Sequence, residues 1–171
     1  MRRWSHFGLV IFAAALGCGG HGNQPSGPDL SGPLSTDMSI PGGPLCSDPR
    51  ADPYMPGLTK PSVNGDFNVT LVGSVPGPPS IGNDTWTLEI ADKSGAAMNG
   101  ATITVKPWMP DHGHGTSVTA SVTPAGNDGT YTVTPLYLFM AGLWQVTFTI
   151  KSSTGTSDTV VFSYCLAEAT M

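Results

Sequence analysis

From Phe67 onward, apolar and polar side chains alternate with a period of two, and turn residues interrupt the alternation at short intervals. No useful run of helical periodicity follows the N-terminal apolar stretch. These observations predict an all-β domain, an immunoglobulin-like antiparallel β-sandwich of about seven strands.

The strands follow in order. Phe67, Val69 and Leu71 alternate with Asn68 and Thr70; Trp86, Leu88 and Ile90 alternate with Thr85, Thr87 and Glu89. Ile103 and Val105 come next, then Val118, Ala120 and Val122, then Tyr131 and Val133. Trp144, Val146, Phe148 and Ile150 form the longest run, and Val160, Phe162 and Tyr164 the last. Each run has one apolar and one threonine-rich face, the pattern of a strand buried on one side. Pro- and Gly-rich Val75 to Asn83, the pairs Ser94-Gly95 and Asn99-Gly100, and Asn127-Asp128-Gly129 supply the turns, the last a strong hairpin signal. The span from Cys46 onward suits a single domain.

The N-terminal part reads differently. Arg2 and Arg3 precede an apolar run from Phe7 to Leu16, which is too short to cross a bilayer. A small residue, Gly17, then precedes Cys18, so residues 1–17 read as a secretory signal peptide. Leu16-Gly17-Cys18 resembles the lipobox of bacterial lipoproteins, which implies that Cys18 is lipidated and becomes the mature N-terminus. Gly19, where an inner-membrane retention signal would carry Asp, implies an outer-membrane lipoprotein facing the periplasm. Cleavage without lipidation, giving a secreted protein, is the alternative. Residues 18–45 are rich in Gly, Pro and Ser and cannot bury enough surface to offset their ordering entropy. They read as a tether to a domain spanning residues 46–171, whose opening, from Cys46 to Asn64, reads as an irregular lead-in.

Export leaves Cys46 and Cys165 as the remaining thiols, and two cysteines in an oxidising compartment usually pair. Unpaired buried thiols are the alternative. A formal net charge of −5, with 11% charged residues and no basic patch, argues against a nucleic-acid partner. The partners expected are the membrane, through the N-terminal lipid, and an envelope protein. Catalysis finds little support. There is no Gly-x-Ser-x-Gly elbow or His-Glu-x-x-His motif, and Glu89 and Glu168 are the sole glutamates.

One segment carries candidate chemistry, Pro107-Trp108-Met109-Pro110-Asp111-His112-Gly113-His114-Gly115-Thr116. His112 and His114 are separated by Gly113, which lets the backbone turn so that both imidazoles converge. Met109 precedes them, and Met140 lies in Leu138-Phe139-Met140-Ala141-Gly142. Thioether and imidazole together suit copper, and Cu(I) in particular. Asp111 is placed to orient an imidazole as a hydrogen-bond acceptor. The competing reading is structural: methionines that fill the core, and histidines that hold a tight corner.

Trp108 to Gly115, then Gly129-Thr130-Tyr131, then Met140-Ala141-Gly142-Leu143-Trp144 resemble the YtkA-like domain family, itself related to FixH-type proteins. The resemblance covers roughly Trp86 to Cys165. It implies an immunoglobulin-like sandwich outside the cytoplasmic membrane, and the FixH-type relatives imply copper handling. Two functions stand at this point. One is a copper-binding, metallochaperone-like domain using the Met/His corner; the other is a non-catalytic accessory module of an envelope complex.

Overall fold

The computed structural model describes residues 45–168. The segments read above as signal peptide and, up to residue 44, as tether, with Cys18, lie outside the described residues. The domain is built from strands throughout: β1 (Leu58–Pro61), β2 (Phe67–Val75), β3 (Gly82–Asp92), β4 (Thr102–Met109), β5 (His114–Gly115), β6 (Ser121–Pro124), β7 (Thr130–Leu138), β8 (Gly142–Lys151) and β9 (Ser157–Leu166). They form two antiparallel sheets. One has the order β1-β2-β3-β7-β6 and the other β5-β4-β8-β9. Sequential strands thus cross between sheets at β3–β4, β5–β6 and β7–β8, as in the immunoglobulin-like sandwich that the alternation predicts.

The alternation decides which side chains meet. Phe67, Val69 and Leu71 of β2, Trp86, Leu88 and Ile90 of β3, and Tyr131 and Val133 of β7 are buried from one sheet. Val146, Phe148, Ile150, Val160, Phe162 and Tyr164 oppose them from the other. Trp86 sits at the centre, its ring edge-on to Tyr164 with centroids 5.5 Å apart and tilted against Phe148 at 6.1 Å. Fully burying side chains of this size stabilises the fold by about 2–3 kcal/mol each, before ordering entropy is subtracted. Outward-facing threonines pair across strands, Thr59 with Thr70 at 2.7 Å and Thr85 with Thr134 at 3.0 Å. The Asn127-Asp128-Gly129 turn closes the β6–β7 hairpin, with Gly129 at φ +78° and the Ala125 amide donating to the Thr130 carbonyl.

Three features differ from the sequence expectation. Among the described residues there are nine strands rather than about seven, because β1 and the two-residue β5 are too short to show a period. The run Val118-Ala120-Val122 contributes only its end to a strand, β6 beginning at Ser121. The lead-in is also far from passive. β9 is an edge strand, and its free side is taken up by the lead-in. Leu45 bridges Leu166, and the amides of Cys46, Asp52 and Val63 donate to the carbonyls of Cys165, Ser163 and Thr159. The Ser163 amide returns a bond to the Asp52 carboxylate at 2.8 Å. Covering an open edge in this way blocks strand addition by another chain. Cys46 and Cys165 form a disulfide, Cα–Cα 5.1 Å, which locks the lead-in onto that edge as the cysteine count predicts.

Candidate functional site

Four elements meet at one end of the sandwich: the C-terminal end of β4, β5, the C-terminal end of β7 and the first residue of β8. β4 and β5 form a hairpin in which Trp108 faces Gly115 and Met109 faces His114. The turn between them, Pro110 to Gly113, is closed by the Gly113 amide donating to the Met109 carbonyl at 2.9 Å. Gly113 has φ +68°, a left-handed conformation that costs other residues 1–2 kcal/mol or so. Residues opposite each other on an antiparallel ladder present side chains on the same face. Met109 and His114 therefore share a face, Met109 fully buried and His114 half-buried.

His112 approaches the same place from the turn. The His112 and His114 rings have centroids 5.6 Å apart and are tilted by 54°. A Cβ built on Gly142 would lie 2.9 Å from the Met109 methyl carbon (Cε) and 3.8 Å from His112 Nε2. The Met109 methyl and this imidazole nitrogen thus both lie against Gly142, the methyl so closely that only glycine fits there, and Gly142 holds φ +118°. His114 Nδ1 lies 3.3 Å from the Gly115 carbonyl. When Nδ1 carries the proton and donates there, Nε2 keeps its lone pair, the usual way a backbone carbonyl fixes a ligating imidazole. The His114 ring stacks on Phe139, centroids 5.5 Å apart, and Phe139 stands edge-on to buried Trp144 at 5.6 Å.

Met109, His112 and His114 are therefore brought together. Met140 enters differently: its side chain is half-buried against the core, and its carbonyl accepts the Trp144 indole N–H at 2.9 Å. Asp111 gives both carboxylate oxygens to the Arg50 guanidinium, Nη1–Oδ1 at 2.7 Å and Nη2–Oδ2 at 2.6 Å, rather than to an imidazole. Arg50 also binds Asp48 through Nη2 at 2.8 Å and Nε at 3.0 Å. The guanidinium holds the Asp111 and Asp48 carboxyls below their ordinary range, and the two carboxylates push Arg50 further up. Among the described residues, no three His, Cys, Asp or Glu side chains come together in a metal-binding group. A metal at this corner would have to draw on thioether sulfur.

Sequence reasoning missed three participants. Arg50 lies 61 residues before Asp111, and no local pattern links them. Phe139 and Gly142 were in view as neighbours of Met140, but the stacking of one and the close approach at the other depend on how β7 and β8 end. A cleft of about 480 Å³ lined by Asp66, Asp92, Met98, Asn99 and Ser152 opens at the opposite end of the sandwich, and none of the candidate residues lines it.

No curated protein and no solved structure matches the chain. Residues 62–149, more than half of the sequence, match the YtkA-like family model. That span contains β2 to β7, most of β8 and every member of the Met/His corner. With this match and a two-sheet sandwich that presents the corner at one end, the chain belongs to the YtkA-like family.

Proposed function

We propose that the domain binds copper, as Cu(I), at the corner formed by His112, His114 and Met109, with Met140 beside it, and that it serves as a non-catalytic, metallochaperone-like carrier in the cell envelope. The observation that carries this reading is the approach of Met109 Cε and His112 Nε2 to the same glycine, Gly142, with His114 across the ladder from Met109. Two imidazoles and a thioether form a neutral, soft ligand set, which favours Cu(I) over harder ions. A solvent-facing His112 beside a buried Met109 suits transfer, because one ligand is open to an incoming partner. The carrier would be anchored through lipid on Cys18 at the outer membrane; a mature protein that stays unlabelled by a clickable fatty acid contradicts that anchor.

Competitive titration with a Cu(I) chromophore tests the reading. The wild type should bind one equivalent, and the His112→Ala/His114→Ala double variant should lose it while keeping its fold, since both side chains lie outside the core. Binding should weaken at acidic pH, because each imidazole must be deprotonated to ligate.

One observation favours the accessory-module reading. His114 is already engaged by Phe139 and by the Gly115 carbonyl, as a purely structural corner would require. On that reading the double variant loses stability, and the wild type shows no copper binding above background.

A further inference from the structure

We infer that Arg50 determines which metal ions the corner accepts, by holding Asp111 out of the ligand set. This rests on the reading of the corner as a metal site.

Asp111 precedes His112 in the same tight turn, so its carboxylate is the hard ligand adjacent in sequence to the histidine pair. Two imidazoles and a carboxylate make a set that suits Zn(II) and other borderline divalent ions, whereas two imidazoles and a thioether suit Cu(I). The difference between the two sets is the state of one carboxylate, and that carboxylate is occupied. Arg50 grips both oxygens in a parallel fork at 2.7 and 2.6 Å, the geometry in which guanidinium–carboxylate pairs are strongest and which an ammonium cannot reproduce.

Single exposed ion pairs are usually weak. This one is held in place by a second carboxylate. Asp48 binds the neighbouring Nε and Nη2 edge of the guanidinium, and its Oδ1 also accepts the Arg50 backbone amide at 2.8 Å. The segment is fixed on one side by the disulfide at Cys46 and on the other by the Asp52 amide on the Ser163 carbonyl at 2.7 Å. Arg50 is thus presented by an anchored strap that lies outside the family-matching span, so the device belongs to this chain's own lead-in. A guanidinium also stays protonated at any physiological pH, so the carboxylate is not released by ordinary acidification.

The test uses Arg50→Gln, which removes the fork and the charge, and Arg50→Lys, which keeps the charge without the fork. Each is titrated with Zn(II), with Co(II) read by its visible d–d bands, and with Cu(I), after circular dichroism confirms the fold. Arg50→Gln should bind Zn(II) and Co(II) at least tenfold more tightly than the wild type, with Arg50→Lys in between. The gain should vanish in Arg50→Gln/Asp111→Asn, and Cu(I) affinity should change by less than about threefold, within 0.7 kcal/mol or so. Unchanged Zn(II) affinity in Arg50→Gln overturns the inference. So does a gain that survives Asp111→Asn, or one matched by Cu(I), since either would reflect simple loss of positive charge. A wild type that fails to bind Cu(I), alongside an Asp111-dependent gain of Zn(II) in Arg50→Gln, sinks the copper reading and leaves this inference standing.

Discussion

Asp84 imposes on folding a cost that grows as pH rises from about 4 to 7. It lies on β3 two residues before Trp86 and is 1% exposed. Its Oδ1 accepts the Ser80 amide at 3.2 Å, and its Oδ2 meets no protein donor. Burial with so little compensation pushes its pKa up to about 7, against about 3.9 in an unfolded chain. A carboxyl with a higher pKa in the folded state binds its proton more tightly there. It therefore costs little below pH 4, costs progressively more as pH rises from 4 to 7, and costs a constant amount above that. Three units of difference correspond to about 4 kcal/mol at most, and local relaxation with water entry reduces this to about 2 kcal/mol. Asp84→Asn removes the titration and keeps the acceptor for Ser80. Urea unfolding of both proteins at pH 4 and pH 8 should show the variant gaining about 2 kcal/mol on the wild type between the two, about 8 °C in Tm for a domain of this size. Taking the difference cancels the lowered carboxyls such as Asp92, Asp128 and Asp158, whose stabilisation is lost instead as pH falls. A variant-minus-wild-type difference that stays constant from pH 4 to 8 would refute the reasoning.

Two further outcomes are expected. The Cys46–Cys165 bridge has a sequence separation of 119, so its reduction should destabilise the domain by about 3–5 kcal/mol and expose the lead-in amides to hydrogen exchange first; a reduced protein within 1 kcal/mol or so of the oxidised one contradicts this. Gly142→Ala forces an L-residue into φ +118° against the Met109 methyl and should cost about 1–3 kcal/mol, whereas Gly73→Ala, with nothing within 4 Å of the new methyl, should cost far less; equal thermal shifts for the two would remove the packing argument at the corner.

Much of the fold was legible because period-two burial leaves a direct mark on sequence. Trp86, Leu88 and Ile90, and Trp144 to Ile150, needed no tertiary information to be placed. The Asn127-Asp128-Gly129 turn declared its hairpin through local backbone preference. β1 and β5 escaped because strands of four and two residues are defined by their partners rather than by their own pattern. Asp84 is in phase with Trp86, Leu88 and Ile90, so the alternation itself places it on the apolar face. At the corner, His112, His114 and Met109 were visible as a cluster within six residues. That Asp111 belongs to Arg50 was not visible, since the pairing depends on the lead-in folding back along β9 under the disulfide.

Whether Met109 sulfur and the two imidazoles act together on one metal ion can be read by X-ray absorption at the copper edge on the Cu(I)-loaded protein. A sulfur scatterer is expected alongside two imidazole nitrogens, with the sulfur contribution lost or reduced in Met109→Leu and the imidazole signals retained. A protein that retains no copper, or a spectrum of nitrogen and oxygen scatterers that Met109→Leu leaves unchanged, would contradict it.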